Sequence, residues 1–185
     1  MRWITLIILA YVVLLLQTTV ARLLTLSTAW LGNIGPDLVA ILAVFIALHA
    51  RSGVEVMLAA WGLGLALDLT SAGGVGVATA VGPMSITYAL AAGAVYRFRE
   101  AFFRERILPQ VLLALTFCLL AHGGWVTLQC VLAYPAVTLA GYERLLLQAL
   151  LLAAYTAVLA PLGHRALGRC RTWIVNAPVR GPGRR

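Results

Sequence analysis

From Trp3 to Ala21 the chain carries no charged residue, and apolar runs of similar character recur along most of its length. A run of this kind is long enough to cross a hydrocarbon core of about 30 Å as a helix. This constrains the fold more than any other feature, because lipid offers backbone N–H and C=O groups no partner. Only helices and closed barrels satisfy those groups internally. Barrel strands alternate apolar and polar residues; these runs are continuous, so helices are expected. Composition agrees: 62% of the residues are hydrophobic and 11% charged, with mean hydropathy +0.96. An ordinary globular domain is about 25% charged. The expected fold class is an all-α integral membrane protein, a six-helix transmembrane bundle over residues 1–167, with a basic, disordered cytoplasmic tail over 168–185.

Trp3–Ala21 is the first span. Thr19-Val20-Ala21 resembles a signal-peptide cleavage site, but the run exceeds a usual h-region and further spans follow, which favours an uncleaved helix. Arg22 to Gly35 reads as a short helix lying at the membrane interface, with Trp30 suited to that level. Pro36-Asp37 then opens the second span, Leu38 to Ala50. Proline is tolerated in a first helical turn, and an aspartate there accepts from free N–H groups. Asp37 is open to two readings, a helix start and a partner contact.

The third span covers Val54 to Leu69. Ala60, Gly64 and Asp68 fall on one face at intervals of four, a small-residue stripe that lets two helices approach closely. Asp68 lies deep in an apolar run, where a charge costs roughly 2.5–3.5 kcal/mol at the membrane centre and usually faces other helices. The Gly-rich turn Gly73-Gly74-Val75-Gly76 follows. The fourth span is expected over Val75 to Tyr96, kinked at Gly82-Pro83. Its stripe of Ser85, Ala89 and Gly93 would face the one on the third span, making the two a close hairpin. Asp68 either anchors that hairpin, accepting from N–H groups of the Gly73–Gly76 turn, or touches a partner.

Arg97 to Arg106 is the densest charge run. Phe98, Phe102 and Phe103 interleave with Arg97, Arg99, Arg104 and Arg106, as on an amphipathic segment lying on anionic lipid; docking a cytosolic partner is the other reading. The fifth span is Ile107 to Ala133, with His122 inside it. The sixth is Leu145 to Leu162, after a short loop over Leu139 to Arg144, and Pro161 closes it; the basic stretch begins at His164. Cys118, Cys130 and Cys170 form no CxxC pair, and no metal or cofactor site is expected. With six spans, twelve arginines fall on one side and only Arg22 and Arg144 on the other. The positive-inside rule then places both termini in the cytoplasm. It also accounts for the net charge of +8 without nucleic acid.

Pro36-Asp37-Leu38 opening the second span, and Gly64-Leu65, Asp68-Leu69, Ser71, Gly73 and Gly76 across the third turn, together resemble the rod shape-determining MreD family of bacteria. The resemblance extends over most of the chain, from Trp3 to about Leu167, and is specific at those two motifs. Sequences of that family often carry a Pro and a bulkier polar residue after the glycines, and shorter basic tails. The resemblance implies a location in the bacterial cytoplasmic (inner) membrane. It also implies a fold similar to the S component of energy-coupling-factor transporters and a non-enzymatic scaffold role in the cell-elongation complex that builds peptidoglycan. The implied partners are an MreC-like bitopic protein, RodA with its class B penicillin-binding protein, and MreB filaments. Pro36, Asp37, Gly64, Asp68, Ser71, Gly73 and Gly76 become partner-binding or structural candidates. The alternative is an S-component-like subunit that binds a vitamin through Asp37, Asp68, Trp61 and His122; against it, the spans hold few convergent polar groups. An intramembrane enzyme finds no Ser/His/Asp set, HExxH or paired acids to support it.

Overall fold

The shortest helix is the one the others enclose. A computed structural model of the chain describes residues 3–28, 30, 32–71, 81–99, 107–132 and 139–169. In it, α2 (Leu38–His49) is surrounded by α1 (Trp3–Leu23), α3 (Gly53–Ser71), α4 (Pro83–Phe98), α5 (Ile107–Leu132) and α6 (Leu139–Gly168). The sequence of α2 has no polar residue before His49, so it is apolar on every face and needs cover all round. It receives that cover: every side chain from Val39 to Leu48 is at most 3% exposed. Around it α3 packs on α4, α4 on α5 and α5 on α6, while α1 packs on α2.

Among the described residues four helices are long and apolar enough to cross a membrane: Trp3–Ala21, Gly53–Thr70, Leu108–Leu132 and Gly141–Gly168. Their outward faces are apolar, as lipid contact requires; Ile4, Leu108 and Val158 are at least 70% exposed. Among the described residues the chain is mostly helical, with six helices, which is consistent with a membrane protein. Two of these, α2 and α4, are 12 and 16 residues long and fall short of a full crossing by length.

The expected close pairing of the third and fourth spans is present. A Cβ on Gly64 would sit 2.6 Å from the Met84 carbonyl oxygen and 2.7 Å from Ser85 Cα, so α3 and α4 touch backbone to backbone there. Further along, Gly93 leaves room for Met57, and Gly53 for the Tyr96 ring.

Elsewhere the structure corrects the sequence reading. In place of a surface helix there is an antiparallel strand pair, β1 (Leu26–Thr28) with β2 (Gly32–Ile34), in the register Leu26↔Ile34. Gly32 at φ +76 supplies a backbone conformation at the start of β2 that other residues rarely adopt. The strand pair is tied to α6 by Gln148, whose amide donates to Asn33 O at 3.0 Å. Above it the Arg144 guanidinium lies 5.7 Å from the Trp30 ring centroid.

The fourth helix does not kink at Gly82-Pro83; it begins there, with Pro83 in its first turn, where a missing N–H costs nothing. Pro36 likewise precedes α2, which starts at Leu38 with Asp37 as its N-cap. The sixth helix is longer than expected at both ends. It takes in the presumed loop over Leu139 to Arg144 and continues through Pro161 to Gly168. His164, read as the start of the basic stretch, is a buried residue of α6 with its ring edge-on to Phe45. The tail expected from 168 onward lies, beyond Arg169, outside the described residues.

Candidate functional site

The N-terminus of α2 is where the polar side chains of the bundle meet. Asp37 is extended at φ −97, ψ 95 and caps the helix, its Oδ1 accepting from Ala40 N at 2.9 Å. This is the helix-start role expected of it. Its Oδ2 accepts from the Tyr88 hydroxyl of α4 and pairs with His122 Nε2 of α5 at 3.0 Å. The Asp37 backbone N–H donates to Thr156 Oγ1 of α6 at 2.9 Å. From α1, Gln17 grips the flanking backbone in both directions: its Oε1 accepts from Leu38 N at 2.7 Å and its Nε2 donates to Pro36 O at 3.1 Å. Four helices thus converge on three consecutive residues, and Asp37 is 4% exposed.

The surroundings hold these groups in place. The Tyr88 ring packs edge-on against Phe117 with centroids 5.1 Å apart, and edge-on against His122. A Cβ on Gly124 would come within 2.9 Å of Thr87, so α5 approaches α4 closely just beyond His122. A 12-residue helix rises about 18 Å, well short of a core about 30 Å thick. The cluster satisfies the N–H groups that the start of α2 leaves bare. A buried carboxylate has to be paired and hydrogen-bonded.

Asp68 does for α4 what Asp37 does for α2. It is 7% exposed, and its Oδ2 accepts from Gly82 N at 2.9 Å and Met84 N at 3.1 Å. It caps a helix from fourteen residues earlier in the chain, across the close contact that Gly64 permits. These two donors lie at the start of α4; the Gly73–Gly76 turn expected to supply donors, including Gly73 and Gly76, lies outside the described residues. Ser71 ends α3.

The Arg97–Arg106 segment is only partly described. Arg97 and Phe98 complete α4 and are exposed, as a membrane-surface stretch would be. Arg99 departs from that reading. It is 8% exposed and turns inward, where its Nη1 donates to Ala47 O and Ala50 O at the C-terminal end of α2. Its guanidinium also stacks 3.8 Å from the Tyr96 ring centroid. A cation at a helix C-terminus meets the negative end of the dipole and the unpaired carbonyls together. Phe102, Phe103, Arg104 and Arg106 lie outside the described residues.

Both ends of α2 are therefore closed by side chains from neighbouring helices. Of the residues raised for a ligand site, Asp37 and His122 are brought together. Asp68 contacts the start of α4, and Trp61 is 46% exposed on the outer face of α3. Sequence reasoning missed Gln17, Tyr88 and Thr156. The one signal available was that each is a polar residue inside an apolar run, next to another polar residue: Thr18, Thr87 and Tyr155. No group of three or more metal-ligating side chains occurs among the described residues.

No family model, curated protein or solved structure matches this chain.

Proposed function

We propose that this chain is a non-enzymatic scaffold subunit of the bacterial cell-elongation machinery, of the MreD type. On this reading it is a six-span, S-component-like bundle of the cytoplasmic membrane with both termini inside. The observation that carries the reading is where the two motifs spend their polar groups. Pro36-Asp37-Leu38 is consumed in joining α1, α4, α5 and α6 to α2. Gly64 and Asp68 are consumed in joining α3 to α4. Motifs used in this way specify a rigid bundle that presents an apolar surface to the membrane. Such a surface suits the transmembrane segments of an MreC-like protein and of RodA with its penicillin-binding partner. The outward side chains of Trp61, Leu58 and Leu69 on α3 belong to it.

A vitamin-binding subunit needs polar groups aimed into a cavity. Here Asp37 and His122 are aimed at each other. The exposed Arg97 and Phe98 lie at the end that the arginine distribution assigns to the cytoplasm, where MreB filaments and anionic lipid are found.

The test is purification of the tagged chain from its native membrane in mild detergent, with mass-spectrometric identification of what accompanies it. MreC-like and RodA-like proteins are the expected companions. A transmembrane T component with paired ATPases would overturn the scaffold reading in favour of transport.

A further inference from the structure

Near its C-terminal end α6 buries a polar side chain that its neighbours do not answer. His164 is 6% exposed, and neither of its ring nitrogens has a hydrogen-bond partner. The Ile41 backbone faces the ring but lies outside hydrogen-bonding geometry. Buried polar groups are nearly always satisfied, so one that is not calls for a reason. The ring meets Phe45 of α2 edge-on, with centroids 5.9 Å apart, and Phe45 in turn lies 4.3 Å from the His49 ring. One residue earlier, a Cβ on Gly163 would come within 2.6 Å of Ile41 Cγ2, so α6 and α2 are in close contact here.

We propose that His164 is a pH-sensitive latch between α6 and α2. Neutral, the ring packs against Phe45 and seals the contact. Protonated, it is a cation with two N–H donors and no acceptor, a state that burial opposes. The charge is relieved when the turns from Gly163 to Gly168 swing off α2 and water reaches the ring. The surrounding groups do not hold the proton in the closed state. From α2 the titratable side chain at this end is His49, whose Nδ1 donates to Phe45 O at 2.9 Å and whose charge, when protonated, has the same sign. Asp37 is at the opposite end of α2, paired with His122. From α5, the stretch Ile107 to Phe117 has no titratable side chain. β2, which also packs on α6, has none, and it meets α6 at Gln148. On α6 itself Arg165 and Arg169 are exposed and positive. Arg51 after α2 is exposed as well, and Glu55, the one acidic side chain described at this end, is on α3, which packs on α2 and α4. A solvated histidine takes its proton near pH 6.5, to an approximation of about a unit. The open state therefore binds more protons than the closed one, and it gains as pH falls through that value; above it the closed state is favoured. Histidine switches work in this range. The latch depends on the packing of α6 on α2 and not on the scaffold reading.

The test is hydrogen–deuterium exchange of the full chain in micelles at about pH 7.5 and about pH 5.5, on either side of histidine's ordinary value. Exchange times are scaled for the intrinsic effect of pH on amide exchange. The expected result is several-fold faster exchange at the lower pH in peptides covering residues 160–168, with α3 and α4 unchanged. His164→Leu, which cannot charge, abolishes the difference, and His49→Gln retains it. If His164→Leu fails to accumulate, His164→Gln takes its place. Equal scaled exchange at the two pH values in the wild type would overturn the proposal. So would an acid response that survives in the His164 variant or disappears in His49→Gln. A response spread evenly over all the helices would mean general acid loosening of the bundle and would overturn it too.

Discussion

Replacing Asp37 with Ala removes three things at once, and their sizes can be separated. The N-cap bond to Ala40 is lost, a change worth about 1 kcal/mol. The Tyr88 hydroxyl and the His122 imidazole are left buried without their shared acceptor, at about 1–3 kcal/mol each. Together this is about 3–7 kcal/mol, or a drop in melting temperature of roughly 10–20 °C for a chain of this length. Asp37→Asn keeps an oxygen for Ala40 but places an amide donor where Oδ2 stood. Tyr88 can turn its hydroxyl to accept, and His122 keeps the contact only by switching to the tautomer whose Nε2 accepts, so the cost is about 1–3 kcal/mol. Tyr88→Phe leaves the carboxylate paired with His122 and costs about 1–2 kcal/mol. In the Asp37→Ala background, Tyr88→Phe should cost nothing further, because its partner has already gone. The assay is thermal unfolding of the purified chain in micelles, followed by tryptophan fluorescence and helical circular dichroism. Equal effects of Tyr88→Phe in the two backgrounds would refute the shared-acceptor account. So would an Asp37→Ala protein melting within about 2 °C of wild type, a shift worth under 1 kcal/mol.

Further outcomes follow from the same contacts. Gly64→Ala drives a Cβ into the backbone at Met84 and Ser85, so it should destabilise by about 1–3 kcal/mol, whereas Gly62→Ala should be near neutral by the same melt. Asp68→Asn retains an acceptor for Gly82 and Met84 and should melt close to wild type, while Asp68→Leu strands both N–H groups and should lose about 2–4 kcal/mol. Arg99→Ala uncovers the Ala47 and Ala50 carbonyls and should speed hydrogen exchange at the C-terminal turn of α2, with Arg97→Ala as the neutral control.

The parts of the fold that rest on local pattern were legible in the sequence. Uninterrupted apolar runs gave α1, α3 and α5 within a few residues, and Pro36-Asp37 announced α2. The small-residue stripes on α3 and α4 announced a close pair because spacing along a helix maps directly onto a face. Proline misled in both directions. Pro161 looked like a stop, yet neighbouring helices let α6 continue through it. Pro83 looked like a kink, yet Asp68 supplied the cap that let a helix begin there. The strand pair at 26–28 and 32–34 was too short to register against the polar Ser/Thr pattern that suggested an interfacial helix. The cluster around Asp37 was illegible for another reason. Its members, at 17, 37, 88, 122 and 156, are joined only by tertiary packing, and no periodicity connects them. Arg99 was misassigned because a charge run is read as one surface, whereas the direction of one side chain depends on where the carbonyls of α2 end.

The most direct test of the account's central claim, that the buried carboxylates hold the bundle together and leave recognition to its surface, is quantitative co-purification with carboxylate variants. Asp68→Asn and Asp37→Asn would be expressed in place of the native chain, captured from membranes, and their companions counted relative to captured chain. The account predicts unchanged partner ratios for every variant molecule that folds, with any loss appearing as reduced abundance or melting temperature. A variant that accumulates and melts like wild type yet loses its partners would contradict it, and would place that carboxylate in the interface itself.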